Sequence, residues 1–153
     1  MENVQLTVTV PQAQAMAKAL DLFARLSIGQ VGMIAEMVAM QEIPMYAPNG
    51  APGRNATPEV CDTVRAGIEE VLRTLGYSGF GHSLGVGNEH VPVAGHRAYE
   101  ISRVLEKVLA EHRDPNPKFR GVNYDGLSLR YTNDPAPVAL VVQLKGVLWV
   151  GRH

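Results

Sequence analysis

Hydrophobic and polar positions alternate at the start of the chain: Val4, Leu6, Val8 and Val10 are separated by Gln5, Thr7 and Thr9, the period of a half-buried strand. Pro11 ends that pattern. The spacing then becomes helical, with Met16, Leu20, Phe23, Ser27, Val31 and Ile34 three or four residues apart. Gln14, Lys18, Asp21 and Arg25 occupy the opposite face, which continues past Arg25 as Ile28, Gly29 and Gly32. A face that turns from charged to small and apolar needs something packed on it, and a second subunit is the expected cover. Gly29 offers an alternative, dividing the segment into two helices, since glycine costs ~1 kcal/mol inside one.

Residues 44–56 carry the prolines and glycines of a loop, and Thr57-Pro58-Glu59 reads as an N-cap, a first-turn proline and a first-turn acid. Val60, Val64, Ile68, Val71, Leu72 and Leu75 make the stripe of the helix that follows, with Gly76 as its C-terminal cap. Tyr77 to Gly95 is a long glycine-rich loop, functional or mobile. His96 to His112 is helical again through Ala98, Ile101, Leu105 and Val108, widened by Val104 and closed by Asp114-Pro115-Asn116-Pro117. Alternation returns at Leu127, Leu129 and Tyr131, then after turns at Val138 to Leu144 and Val147 to Val150. The pattern predicts a single α+β domain over 1–153, with an antiparallel sheet of about four strands and three to four helices packed on one face.

Composition narrows the functional classes. A chain of 153 residues suits one core without disulfides or a structural metal, and the lone Cys61 excludes an internal disulfide or a CxxC zinc site. Fourteen Lys and Arg against fifteen Asp and Glu leave a net charge of -1, so no long nucleic acid is expected as partner. Charged residues are only 19% and hydrophobic ones 46%, which fits either a surface partly covered by other subunits or an Ala- and Gly-rich monomer. No targeting or membrane-spanning pattern is visible, so the expected location is the cytoplasm, with no membrane partner.

Familiar catalytic signatures are absent. Gly79-Phe-Gly81-His-Ser-Leu-Gly85-Val-Gly87 has the wrong spacing for a dinucleotide fingerprint and no GK[ST] ending. His82, Glu89, His90 and His96 are metal-ligand types without the spacing of a rigid site, and no GxSxG or Cys/His signature accompanies them. No cofactor is expected. The C-terminal half instead holds Arg97, Tyr99, Arg103, Arg113, Arg120, Asn123, Tyr124, Arg130 and Asn133. Arginines supply forks for phosphate, tyrosines supply faces for bases, and asparagines read polar edges. In a nearly neutral chain this set favours a small anionic ligand in a pocket.

The segments Leu22-Phe-Ala-Arg25-Leu-Ser-Ile-Gly29-Gln30, Arg97-Ala-Tyr99-Glu-Ile-Ser-Arg103-Val-Leu, Asp114-Pro115-Asn116-Pro117 and Gly121-Val-Asn-Tyr-Asp together resemble a group of small bacteriophage proteins that includes the Thoeris anti-defence sponges. The resemblance covers about two-thirds of the chain in patches, and loops 44–56 and 77–95 look long for the family. It implies an antiparallel sheet with helices, a dimer or hexamer, and sequestration in the host cytoplasm of cyclic ADP-ribose isomers made by TIR enzymes; some members also hold cyclic oligonucleotides. Arg25, Gln30, Arg97, Tyr99 and Arg103 enter the expected ligand site as members of matching motifs; Arg120, Asn123, Tyr124, Arg130 and Asn133 enter from their chemistry. The alternatives are an enzyme hydrolysing such a signal with His82, His90 and His96, or a phage structural or host-interaction protein with no small ligand.

Overall fold

The computed structural model describes residues 2–46 and 56–142. It contains four α-helices, α1 (Val10–Ser27), α2 (Met33–Ala39), α3 (Pro58–Thr74) and α4 (Val93–Arg113), followed by a 3-10 turn, η1 (Val122–Tyr124). No strand or sheet occurs among the described residues, which overturns the α+β expectation. Residues 2–9 carry no strand, and Val4 and Leu6 are 95% and 63% exposed. The physical reason is that alternation marks which side chains could share a face, whereas a strand exists only when a neighbour completes its backbone ladder. At Tyr131 and Thr132 the N–H groups go to a helix side chain, the carboxylate of Glu100, instead of to another strand. The expected strand at Val147 to Val150 lies outside the described residues, as do residues 47–55 of the first expected loop.

The helices begin and end where local chemistry dictates. Thr9 caps α1 in a reciprocal box with Gln12, each side chain bonding the other's backbone N–H. Thr57 caps α3 by accepting from the N–H of Val60. Three helices end in the same double hydrogen bond. After α1, Gln30 N–H reaches Arg25 O and Gly29 N–H reaches Leu26 O; after α3, Tyr77 and Gly76 reach Leu72 and Arg73; after α2, Glu42 and Gln41 reach Met37 and Val38. The residue at the turn takes a positive φ each time, 87° at Gly29, 79° at Gly76 and 60° at Gln41. Gly29 therefore divides the helical segment in two. Gln41 does glycine's work with a side chain, at a steric cost. Gln41→Gly is expected to stabilise the protein by about 0.5–1 kcal/mol, read as a higher urea midpoint at unchanged slope.

Packing differs from the expected stripes by about one residue. The buried positions of α1 are Ala17 and Ala24, while Phe23 is 47% exposed; α4 buries Gly95, Ala98, Ser102 and Ala110, with Ile101 at the surface. Small residues let α1 and α4 approach closely along antiparallel axes, Gly95 against Ser27 at one end and Ala110 near Ala17 at the other. A smaller unit joins α2 to α3 around Ala35, Val38 and Leu72. The Gly29–Gly32 surface is covered by the chain's own glycine-rich loop. A Cβ on Gly29 would lie 3.2 Å from His82 and Tyr77, one on Gly32 would lie 2.6 Å from the Phe80 ring, and Leu84 N–H bonds Ile28 O at 2.9 Å. No helix among the described residues is long and apolar enough to cross a membrane.

Candidate functional site

Glu100 organises the N-terminal half of α4. Its side chain is almost wholly buried, at 2% residue exposure, yet faces a segment 31 and 32 residues away. Oε1 accepts the backbone N–H groups of Tyr131 at 2.7 Å and Thr132 at 2.8 Å, and Oε2 accepts the Thr132 hydroxyl at 2.9 Å. Arg130 Nε stands 3.9 Å from Oε2. Burial alone would raise the Glu100 pKa. The Tyr131 N–H, the Thr132 hydroxyl and N–H, and the Arg130 charge outweigh it and hold the carboxyl below its ordinary value.

This clamp fixes the path of residues 130–134 along α4 and sets the Tyr131 ring between two neighbours. Its centroid is 5.8 Å from Tyr99, edge to face, and 5.7 Å from His96. A Cβ on Gly87 would lie 2.9 Å from Tyr131 Cε1, so the glycine-rich loop closes on the same ring. His96 is buried, and its Nε2 has no hydrogen-bond partner. Three residues beyond Tyr131, Asp134 grips Arg97 with both oxygens, Nε to Oδ2 at 2.5 Å and a terminal nitrogen to Oδ1 at 3.3 Å. The Arg97 bond, and the charges of Arg97 and Arg130, hold Asp134 below the usual carboxylate range. Arg97 meets this segment at Asp134 and Arg130 stands beside Glu100, on another side of α4 from Tyr99, and Asn133 is exposed between the clamp and the ion pair.

The other sequence-predicted residues fall into separate places. Arg25 bonds Asp21 at 2.7 Å and Gln30 at 3.4 Å, and Arg103 bonds Glu106 at 2.7 Å and the carbonyl of Val122. Arg103 thereby ties η1 to α4. These pairs meet beside a groove of about 250 Å³ between α1 and α4, lined by Lys18, Asp21, Glu106, Arg113 and Asn123 among others. Burial, reinforced by the Asp21 charge, pushes the Glu106 carboxyl up despite Arg103 and Arg25. Arg120 lies 5.9 Å over the Tyr124 ring, whose hydroxyl donates to Asp114 O at 3.2 Å.

The histidines do not converge. His82 stacks on Tyr77 at 4.3 Å with Nδ1 3.3 Å from Ser78 Oγ, His90 is exposed beside Glu89, and His96 lies under Tyr131. Among the described residues no three His, Cys, Asp or Glu side chains form a metal-holding group. Sequence reasoning missed Glu100, Tyr131 and Asp134 as site residues, because their partners lie more than thirty residues away and no local spacing marks them. The site is the segment 130–134 held on α4 by one buried carboxylate, with Tyr131 against Tyr99 and His96, and Asp134 against Arg97. No protein-family model matches the chain, and searches of curated proteins and of solved structures find no match either.

Proposed function

We propose that the protein is a non-catalytic binder of a small cyclic nucleotide signal of the cyclic ADP-ribose type, acting as a sponge in the host cytoplasm. The observation that carries this reading is the Glu100 clamp, which holds residues 130–134 on α4 so that Tyr131 meets Tyr99, Arg130 stands beside Glu100 and Asp134 pairs with Arg97. The two tyrosine rings offer a surface for a base, worth ~1–3 kcal/mol per stacked base. The guanidinium groups offer charge-assisted bonds to a pyrophosphate, worth ~1.5–3 kcal/mol each. Sequestration then works by mass action, with sites in excess over the signal.

A homo-oligomer, dimer or hexamer, belongs to the same proposal. It would cover apolar side chains such as Leu75 just past α3, 57% exposed, and Val138 and Leu140 beyond the clamp, 85% and 68% exposed.

The test is incubation of the purified protein with cyclic ADP-ribose isomers and cyclic oligonucleotides, followed by thermal shift, light scattering and heat release. Stabilisation by at least one compound, an oligomeric mass and recovery of the compound intact are expected. Linear product would instead support the hydrolase, and no stabilisation by any compound would support a structural or host-interaction role.

A further inference from the structure

We infer that Asp134 is a built-in competitor for the ligand's anionic group, occupying the Arg97 fork until a phosphate displaces it. This rests on the proposed binding reading and adds a regulatory element to the same site. A planar guanidinium presents two parallel N–H donors, which a carboxylate or a phosphate can satisfy in the same way. Asp134 supplies both oxygens to that fork, at 2.5 and 3.3 Å. The partner anchored at its backbone is Arg97, on the second turn of a 21-residue helix. The movable partner is Asp134, two residues past the clamped Thr132, in a stretch without regular structure.

The local charges balance. Arg97 and Arg130 face Glu100 and Asp134, and Arg130 adds to the field that keeps Asp134 ionised. Glu100 cannot leave, because two backbone N–H groups and a hydroxyl depend on it. Asp134 can. Its side chain is 39% exposed, that of Arg97 is 55% exposed, and the carboxylate has water to go to. An ion pair this accessible is weak, so an arriving phosphate can exchange with it. The ligand then meets both guanidinium groups, while the Tyr131 ring stays fixed by the clamp. The apparent affinity is reduced by the fraction of molecules in which Asp134 holds the fork.

The experiment titrates the full chain with cyclic ADP-ribose isomers and, separately, with inorganic pyrophosphate, comparing the wild type with Asp134→Asn and Arg97→Ala by calorimetry at constant salt. Asp134→Asn is expected to bind about two- to sixfold more tightly, the range a surface ion pair's occupancy allows, while Arg97→Ala binds more weakly. Circular dichroism melting checks that each variant is folded. Binding by the wild type with equal or weaker binding by folded Asp134→Asn overturns the competitor role and leaves the binding reading standing. Tighter binding by Asp134→Asn with no loss in Arg97→Ala also overturns it, since the fork would then not be the contested group. Absence of binding in all three proteins defeats the binding reading and the competitor role with it.

Discussion

Glu100→Ala is expected to lower stability by about 2–4 kcal/mol and to abolish the aromatic face. Three hydrogen bonds to a charged acceptor disappear together, from Tyr131 N–H, Thr132 N–H and the Thr132 hydroxyl. Each is worth ~1.5–3 kcal/mol singly, and they do not add in full because the released segment can reach water. The urea midpoint reads the stability, and near-ultraviolet circular dichroism reads the loss of the fixed Tyr131 and Tyr99 environments. Glu100→Gln keeps an acceptor for the two N–H groups but gives up the charge, and is expected to cost about 1–2 kcal/mol. Ligand binding should fall in the same order. A Glu100→Ala protein with wild-type stability and tyrosine signal would show that the clamp does not hold this face.

The clamp also contributes to the acid limb of the stability profile, together with Asp134. A carboxyl whose folded pKa is depressed contributes stability that is fully present above its unfolded value, ordinarily ~4.3 for Glu, and is lost as pH falls through the lower folded value. Glu100 follows this sign. Glu106 has the opposite one: its folded pKa is raised, so its contribution is present below the unfolded value and lost as pH rises through the folded value. The loss of stability on acidification should therefore be shallower in Glu100→Gln than in the wild type. In Glu106→Gln the loss on raising pH just above the ordinary carboxyl range should shrink.

Gly95→Ala is expected to destabilise by about 1–3 kcal/mol, although alanine is the better helix former by ~1 kcal/mol. The added methyl would lie 2.5 Å from Ser27 Cβ, 2.8 Å from its hydroxyl oxygen and 3.3 Å from Val91 Cγ1. The Ser27 Cβ is fixed to the α1 backbone and cannot swing away as the end of a long side chain could. Relief requires the two helices to separate, which also loosens contacts around Ala24 and Ala98. Ser27→Gly removes the obstructing atom, so Gly95→Ala in that background should recover most of the loss. A double-mutant cycle showing no coupling between positions 27 and 95 would refute the close approach.

Three of the residues that build the site, Glu100, Tyr131 and Asp134, were beyond local reading. The chemistry of Arg97, Tyr99, Arg130 and Asn133 was legible, since forks and ring faces are properties of side chains, and they do fall along one part of α4 and the segment beside it. Arg25, Gln30 and Arg103 have equally suitable chemistry, yet Arg25 and Arg103 are engaged with Asp21, Glu106 and the Val122 carbonyl at the α1–α4 junction, and Gln30 with Arg25 and Ser83. Which arginine meets a carboxylate of its own chain depends on contacts between distant segments. Nothing local marks Glu100 for the same reason, since its partners Tyr131 and Thr132 lie 31 and 32 residues away.

The sequence by itself determined that these segments are helical and where several of them end, but not that α4 begins at Val93, inside the expected loop, instead of at His96, nor that α2 ends in the turn at Gln41. Thr57-Pro58, Gly29, Gly76 and Asp114-Pro115 set boundaries through caps and backbone angles that involve only a few neighbouring residues. Tertiary structure decided the fate of the alternating segments, because a strand needs a partner that periodicity cannot supply. It also decided that the chain's own loop covers Gly29 and Gly32, and that the Tyr131 segment lies on a helix. There a buried carboxylate takes the N–H groups a neighbouring strand would have taken, and the hydrogen bonds are satisfied without a sheet.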